Sequence, residues 1–138
     1  MPPEHFVSRL ELAAQADAVR WARRHGRDVL SAWRVPDDHV ETATLVVSEL
    51  VTNAVRHVVS TAPATPPVRL ALTLRHRRTH LIVEVTDPDN RPPRRQGLSA
   101  PTAESGRGLF IVETVSKEWG YYFPPTGGKV VWCVLALD

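Results

Sequence analysis

Two short runs of alternating residues constrain the fold of this chain more than any other feature. In residues 68–75 every second residue is a large apolar one, and residues 81–86 largely repeat this pattern. A period of two is typical of a strand that buries one face. Only the short polar segment His76–Thr79 joins the two runs, so they predict an antiparallel hairpin. A hairpin of this kind is not stable alone, and its apolar face needs a cover.

Two stretches with helical spacing can supply that cover. Apolar residues recur at steps of three and four from about 14 to 33, and again from the break at Pro36 to about 58. A short helix is predicted from about 107 to 117, and the remaining strands are predicted at 5–10, 119–123 and 130–137. The predicted fold class is therefore an α/β (α+β) two-layer sandwich. Its mostly antiparallel, mixed sheet is covered on one face by three helices.

The composition narrows the possible classes of protein. With 138 residues the chain is expected to form a single domain, residues 1–138. Its 17 basic and 15 acidic residues give a net charge of +2, which is not the balance of a dedicated nucleic-acid binder. The single cysteine, Cys133, excludes an internal disulfide and is predicted to be a small core residue. No long apolar run or signal peptide is present, so we expect a cytoplasmic protein without a membrane span.

A polar pair stands out on the second predicted helix. Glu49 and Asn53 are four residues apart, so they share one helix face. This spacing is frequent by chance, and the pair alone is compatible with an ordinary surface. Asn is a poor helix former, however, and the pair is surrounded by apolar neighbours, namely Leu50, Val51, Ala54 and Val55. A carboxamide and a carboxylate at the edge of a buried face can hold Mg²⁺ and orient a water or hydroxyl.

Two later segments admit both a structural and a functional interpretation. Asp87 ends a predicted strand, where it either starts a turn or accepts a hydrogen bond from the exocyclic amine of a base. Gly106-Arg107-Gly108 lies where a loop enters a helix, which is either a plain helix start or a phosphate site made of free amides. His57 is a further candidate site residue, because it ends the helix that carries Glu49 and Asn53.

The segment between these two motifs is long for a compact domain. Residues 87–105 contain four prolines and little apolar content. Loops of this length are usually functional or disordered. The basic cluster Arg91, Arg94 and Arg95 lies within it and either faces solvent or approaches phosphates from a lid.

Together these residues resemble the GHKL ATPase superfamily, whose nucleotide-binding domain is the Bergerat fold. Within it the chain looks most like the small anti-sigma-factor serine/threonine kinases, over nearly its whole length. Residues 49–57 match the N box, where the resemblance makes Glu49 the general base and Asn53 the ligand of Mg²⁺. It places Arg56 near the phosphates of ATP and makes Asp87 the partner of the adenine amine.

The later part of the chain matches the same pattern. Residues 104–109 resemble the G2 box at the end of the ATP lid, and the lid itself corresponds to about 88–105. From this motif the resemblance implies nucleotide contacts for Gly106, Arg107, Gly108 and Leu109.

Two departures concern the adenine end of the implied site. The usual Asp-x-Gly-x-Gly of the G1 box is Asp87-Pro88-Asp89-Asn90-Arg91 here, without either glycine. The turn before the last strand reads Gly128-Lys129-Val130 and supplies no hydroxyl for adenine. From the resemblance, Thr86 next to Asp87 is the candidate for a partial substitute.

The resemblance implies an ATP-binding regulatory protein that uses Mg²⁺ and transfers the γ-phosphoryl group to a Ser or Thr of an antagonist protein. It also implies a protein partner, either a sigma factor or an anti-anti-sigma-like antagonist, and allows a homodimer. The alternative is a partner-binding module of the same fold with weak or no ATP turnover, which the missing glycines favour.

Overall fold

The computed structural model describes residues 6–61, 68–89, 91–93 and 104–137. In these ranges the chain forms five strands and three helices, in the order β1 (Phe6–Ala13), α1 (Ala18–Ala32), α2 (Asp37–Thr61), β2 (Arg69–His76), β3 (His80–Asp87), α3 (Glu104–Val115), β4 (Glu118–Tyr122) and β5 (Lys129–Ala136). The described helices include none that is long and apolar enough to cross a membrane.

The strands form one sheet with the order β1-β2-β3-β5-β4. Every pairing between these described strands is antiparallel. The predicted hairpin is β2–β3, and its register pairs Leu72 with Val85. Since β5 lies between β3 and β4, the last strand of the described chain is inserted next to the hairpin. The predicted two-layer sandwich is confirmed.

The core lies between the helices and one face of the sheet. The three leucines at alternate positions of β2, Leu70, Leu72 and Leu74, are almost fully buried. The apolar stripe predicted for α2 is buried along its whole length, at Val40, Ala43, Val47, Leu50, Ala54 and Val58. Alternation in the strands and helical spacing in α2 therefore identified the two surfaces that pack against each other.

Several element boundaries differ from the predicted ones. The first strand extends to Ala13, because it pairs with the full length of β2 and the Ala14 amide still donates to the Val68 carbonyl at 2.7 Å. As a result α1 begins at Ala18, four residues later than predicted. The third helix begins at Glu104 instead of Arg107. His5 and residues 62–67, parts of a predicted strand and loop, lie outside the described residues.

Cys133 lies in β5 with no exposed surface, which confirms its prediction as a core residue. Burial raises the pKa of its thiol to about 11. At pH 8 about 0.1% of such a thiol is ionised, and the thiolate is the reactive form.

We therefore expect Cys133 to resist a disulfide reagent at pH 8 in the native protein and to react fully in denaturant. Since the chain has one cysteine, the absorbance of the released thiol reports this site alone. Rapid native labelling would show that β5 is more accessible than the structure indicates.

Candidate functional site at one end of the central strands

One face of α2 carries three polar side chains towards the end of that helix. Glu49, Asn53 and His57 follow each other at intervals of four residues, so they lie in a row. Asn53 is only 7% exposed, whereas Glu49 and His57 are half-buried. Arg56, next to this row, is exposed. The prediction that the pair lies at the edge of a buried face agrees with these exposures.

A buried ion pair lies where β3 ends and β5 begins. The register of these strands sets Asp87 opposite Lys129, on the face that the helices cover. The Lys129 ammonium is 3.1 Å from Oδ1 of Asp87, and each side chain is 1% exposed. Removing a carboxylate and an ammonium from water is costly unless they neutralise each other, so each of these groups depends on the other.

The Lys129 ammonium has three acceptors within hydrogen-bonding distance. Besides Asp87, Nζ lies 3.4 Å from Nδ1 of His57 and 3.4 Å from the carbonyl oxygen of Asp89. An ammonium carries three N–H donors, so these contacts can use all of them. His57 accepts here in the tautomer that carries its proton on Nε2. Lys129 thereby connects β3, the segment after it and the end of α2.

The two carboxylate oxygens of Asp87 differ. Oδ1 accepts hydrogen bonds from Lys129 and from the Asp89 amide, the latter at 2.8 Å. Oδ2 is buried and has no hydrogen-bond partner among the residues that the structure describes. Burial raises the pKa of Asp87, while the charge of Lys129 and the Asp89 amide act in the opposite direction. A donor on a ligand would satisfy Oδ2.

The segment that follows β3 is also held against α2. The Arg91 guanidinium binds the Asp89 carboxylate, with Nη2 2.8 Å from Oδ2, and this hydrogen bonding lowers the pKa of Asp89 to about 2. Nη2 of Arg91 also lies 3.4 Å from the carbonyl oxygen of His57. Of the predicted basic cluster, Arg94 and Arg95 lie outside the described residues.

The turn before β5 brings its backbone against the end of β3. Gly127 and Gly128 have positive φ angles of 97° and 76°, a region that favours glycine. A Cβ on Gly128 would lie 2.3 Å from the carbonyl oxygen of Asp87, whereas one on Gly127 would meet nothing within 4 Å. Gly128 therefore permits the close approach that places Lys129 against Asp87.

Other predicted site residues lie away from this cluster or have no described side chain. Thr86 alternates with Asp87 along β3, so it faces the opposite side of the sheet, where it lines a groove of about 470 Å³ with Arg9 and Glu11. Asp87 and Gly128 also line this groove. The motif residues Gly106, Arg107, Gly108 and Leu109 lie in the first turns of α3, which packs on α2, and their side chains are outside those described.

Lys129 is the residue of this cluster that the sequence did not predict. The motif at this position predicts only that residue 129 supplies no hydroxyl, and it does not identify the lysine as the partner of Asp87. One signal was available, namely a lysine at the start of a strongly apolar strand. Its partner could not be identified, because β3 and β5 are far apart in the chain.

The fold and this cluster define a class of protein, a two-layer α/β sandwich with a polar site between its helices and one end of its sheet. Residues 12–134 match the model of a family described as the histidine kinase-like ATPase domain, and the chain belongs to that family. The resemblance to the GHKL superfamily is thereby confirmed. An uncharacterized protein of Streptomyces coelicolor is 39% identical over 70 residues, which cover 50% of this chain and 66% of that protein.

Solved structures share the fold at low sequence identity. The crystal structure of the RsbU and RsbW domains of a Mycobacterium tuberculosis protein has a TM-score of 0.64 and 20% identity, over 94% of this chain and 32% of that one. The SiaB-SiaC complex of Pseudomonas aeruginosa has a TM-score of 0.68 and 13% identity, over 93% of this chain and 88% of the other.

ATP is the ligand that family membership implies. The described residues at the α2 end of the site suit ATP better than those at the β3 end. At the α2 end, Asn53 offers a carboxamide oxygen of the kind Mg²⁺ accepts. No group of three or more His, Cys, Asp or Glu side chains in the described part of the chain could hold a metal, so a Mg²⁺ here would depend on phosphate oxygens. At the β3 end, Oδ2 of Asp87 has no hydrogen-bond partner among the described side chains and backbone, but Lys129 occupies Oδ1.

We expect Gly128→Ala to destabilise the protein clearly more than Gly127→Ala. Both substitutions put a side chain at positive φ, which costs about 1–3 kcal/mol. Only the Gly128 variant also drives a methyl group into the Asp87 backbone. Urea unfolding of the two variants measures the difference, and equal losses would show that the approach of the turn to Asp87 is not required.

Proposed function

We propose that this chain is an ATP-binding regulatory protein of the anti-sigma-factor kinase type. One observation carries the proposal. The polar row of α2 leads directly to the end of β3, where His57 and Asp87 share Lys129 as a hydrogen-bond donor. Residues predicted from separate motifs, on α2 and on β3, thus lie at one end of the sheet. Membership of a histidine kinase-like ATPase family supports ATP as the ligand.

The proposed roles follow from the chemistry of each side chain. Asn53 would donate its carboxamide oxygen to Mg²⁺, and Glu49, one turn earlier, would accept the proton of an attacking Ser or Thr hydroxyl. Asp87 would accept a hydrogen bond from the adenine amine. Free amides at the start of α3, with Arg56 and Arg107, would face the phosphates. Transfer of the γ-phosphoryl group would then depend on positioning and on charge neutralisation by Mg²⁺.

The proposed partner is a protein. One structure with this fold is described as a SiaB-SiaC complex and another contains RsbU and RsbW domains in one chain. These descriptions favour a protein antagonist, or a sigma factor, over nucleic acid or a membrane. A cytoplasmic location and a homodimer remain part of the proposal.

A second candidate is a partner-binding module that does not turn over ATP. The observation that favours it is the Lys129–Asp87 pair, because the carboxylate proposed to recognise adenine already has a charged partner. Both candidates use the same fold and partner type. They differ in whether ATP binds and is consumed.

Calorimetry with Mg-ATP tests the nucleotide site. We expect wild-type protein to bind and Asn53→Ala to bind at least tenfold more weakly, because the variant lacks the proposed Mg²⁺ ligand. Since Asn53 is buried, thermal unfolding should first establish that the variant is folded. As the matched control, both titrations are repeated without Mg²⁺. Omission of Mg²⁺ should weaken ATP binding by wild type more than ATP binding by the variant. Absence of wild-type binding at millimolar ATP would remove the nucleotide from the proposal.

Phosphotransfer distinguishes the two candidates. We expect Glu49→Gln to reduce transfer of labelled γ-phosphoryl to the co-purified partner protein by about 10²-fold or more, since a positioned base contributes about that much. ATP binding should stay within a few-fold of wild type. Glu41→Gln is the matched control, because Glu41 lies on the same helix, is exposed and pairs with Arg27. Equal transfer by wild type and Glu49→Gln would exclude the assigned role, and no transfer by wild type would favour the binding module.

A further inference from the structure

The position that would read the base of a nucleotide is held by a side chain of the protein itself. Asp87 and Lys129 are buried opposite each other, and Oδ1 of Asp87 already accepts from Lys129 Nζ and from the Asp89 amide. Oδ2 is closed off from solvent. A base amine reaches this carboxylate only after the surrounding side chains have moved.

Lys129 has no donor left for a ligand. Its contacts with Asp87, His57 and the Asp89 carbonyl can use all three N–H groups of the ammonium. It therefore cannot read an acceptor on the base while it keeps these bonds. Its side chain is 1% exposed, so its aliphatic part fills the space beside Asp87 that a shorter residue would leave open.

From these contacts we infer that Lys129 is an internal competitor for the base and sets the affinity for nucleotide. The inference rests on the proposed ATP site. Binding of a purine amine to Asp87 requires the ammonium to withdraw from the carboxylate. Lys129 thus acts as the specificity- and affinity-determining residue at the base end of the site, although it performs no chemistry.

The same contacts connect base binding with the proposed lid. Lys129 bonds the Asp89 carbonyl and His57, and Arg91 separately bonds the Asp89 carboxylate and the His57 carbonyl. These bonds attach the first residues after β3 to the end of α2. Withdrawal of Lys129 removes one of the two attachments, so occupation of the base site loosens Asp89 from the end of α2.

Substitution of Lys129 tests the inference, because the inference and simple electrostatics predict opposite changes in ATP affinity. We expect Lys129→Thr to bind Mg-ATP at least tenfold more tightly than wild type in calorimetry. Loss of a positive charge near a polyphosphate would by itself weaken binding, so electrostatics predicts the opposite direction. Inosine triphosphate lacks the exocyclic amine. The substitution should raise its affinity much less than that of ATP, because the gain in affinity arises at Asp87.

The chain offers a matched control in its other lysine. Lys117 is exposed and lies just before β4, next to the opposite end of β5, where its amide donates to the Val134 carbonyl. Lys117→Thr removes the same charge and should bind ATP as wild type does. If Lys129→Thr fails to fold because Asp87 loses its partner, Lys129→Gln keeps a neutral donor beside Asp87. This donor competes less strongly than the ammonium, so a smaller gain in the same direction is expected.

The possible results for ATP binding distinguish a failure of the inference about Lys129 from a failure of the proposed function. Equal ATP affinity of wild type and the folded Lys129 variants would overturn the inference and leave the proposed function standing. Weaker binding by the variants would also overturn it, and would make Lys129 a contributor to the site. No ATP binding by wild type or by any folded Lys129 variant would overturn both.

Discussion

The antiparallel pairing of β3 with β5 is the interaction on which the rest of this structure depends. It joins the β2–β3 hairpin to the last part of the chain and leaves β1 and β4 as the outer strands. Its register also fixes the chemistry at the end of the sheet, because it sets Asp87 directly opposite Lys129 under the helices. A slip of β5 by one residue would turn Lys129 to the other face and leave Asp87 without its partner, so the packing that specifies the core also specifies the ion pair.

The buried pair in turn organises the parts of the site that come from other elements. An ammonium in this position requires acceptors, and it finds them on α2 and on the segment after β3. The turn at Gly128 lets the backbone of β5 approach Asp87 closely enough for these contacts. Structural stability and the proposed ligand recognition therefore involve the same few atoms, since the carboxylate proposed to bind adenine also neutralises a buried lysine.

Local patterns predicted most of the fold, and non-local pairing accounts for what they missed. Alternation identified β2 and β3, and helical spacing identified the buried stripe of α2, because each signal is contained within one element. The apolar neighbours of Asn53 in the sequence likewise predicted its position at the edge of a buried face, and Asn53 is 7% exposed. Lys129 is different, because its partner follows from the pairing of strands separated by α3, β4 and a long loop. The later start of α1 has a similar origin, since the pairing of β1 with β2 extends the strand to Ala13.

The two candidate functions therefore differ in the free energy of base binding at Asp87, and not in the proposed catalytic residues. Both candidates keep Glu49 and Asn53 on one face of α2, where they are proposed to serve phosphoryl transfer. What differs is whether the free energy of ATP binding exceeds the cost of separating Lys129 from Asp87. Removing one partner of a buried pair costs about 3–5 kcal/mol, which sets an upper limit for this separation, because the base amine would replace the ammonium at Asp87. At about 1.4 kcal/mol for each factor of ten in affinity, this limit corresponds to ATP binding weakened by about 10²-fold to about 4 × 10³-fold. A site with strong phosphate contacts tolerates such a loss and remains a kinase, whereas a site that depends on the base becomes a binding module.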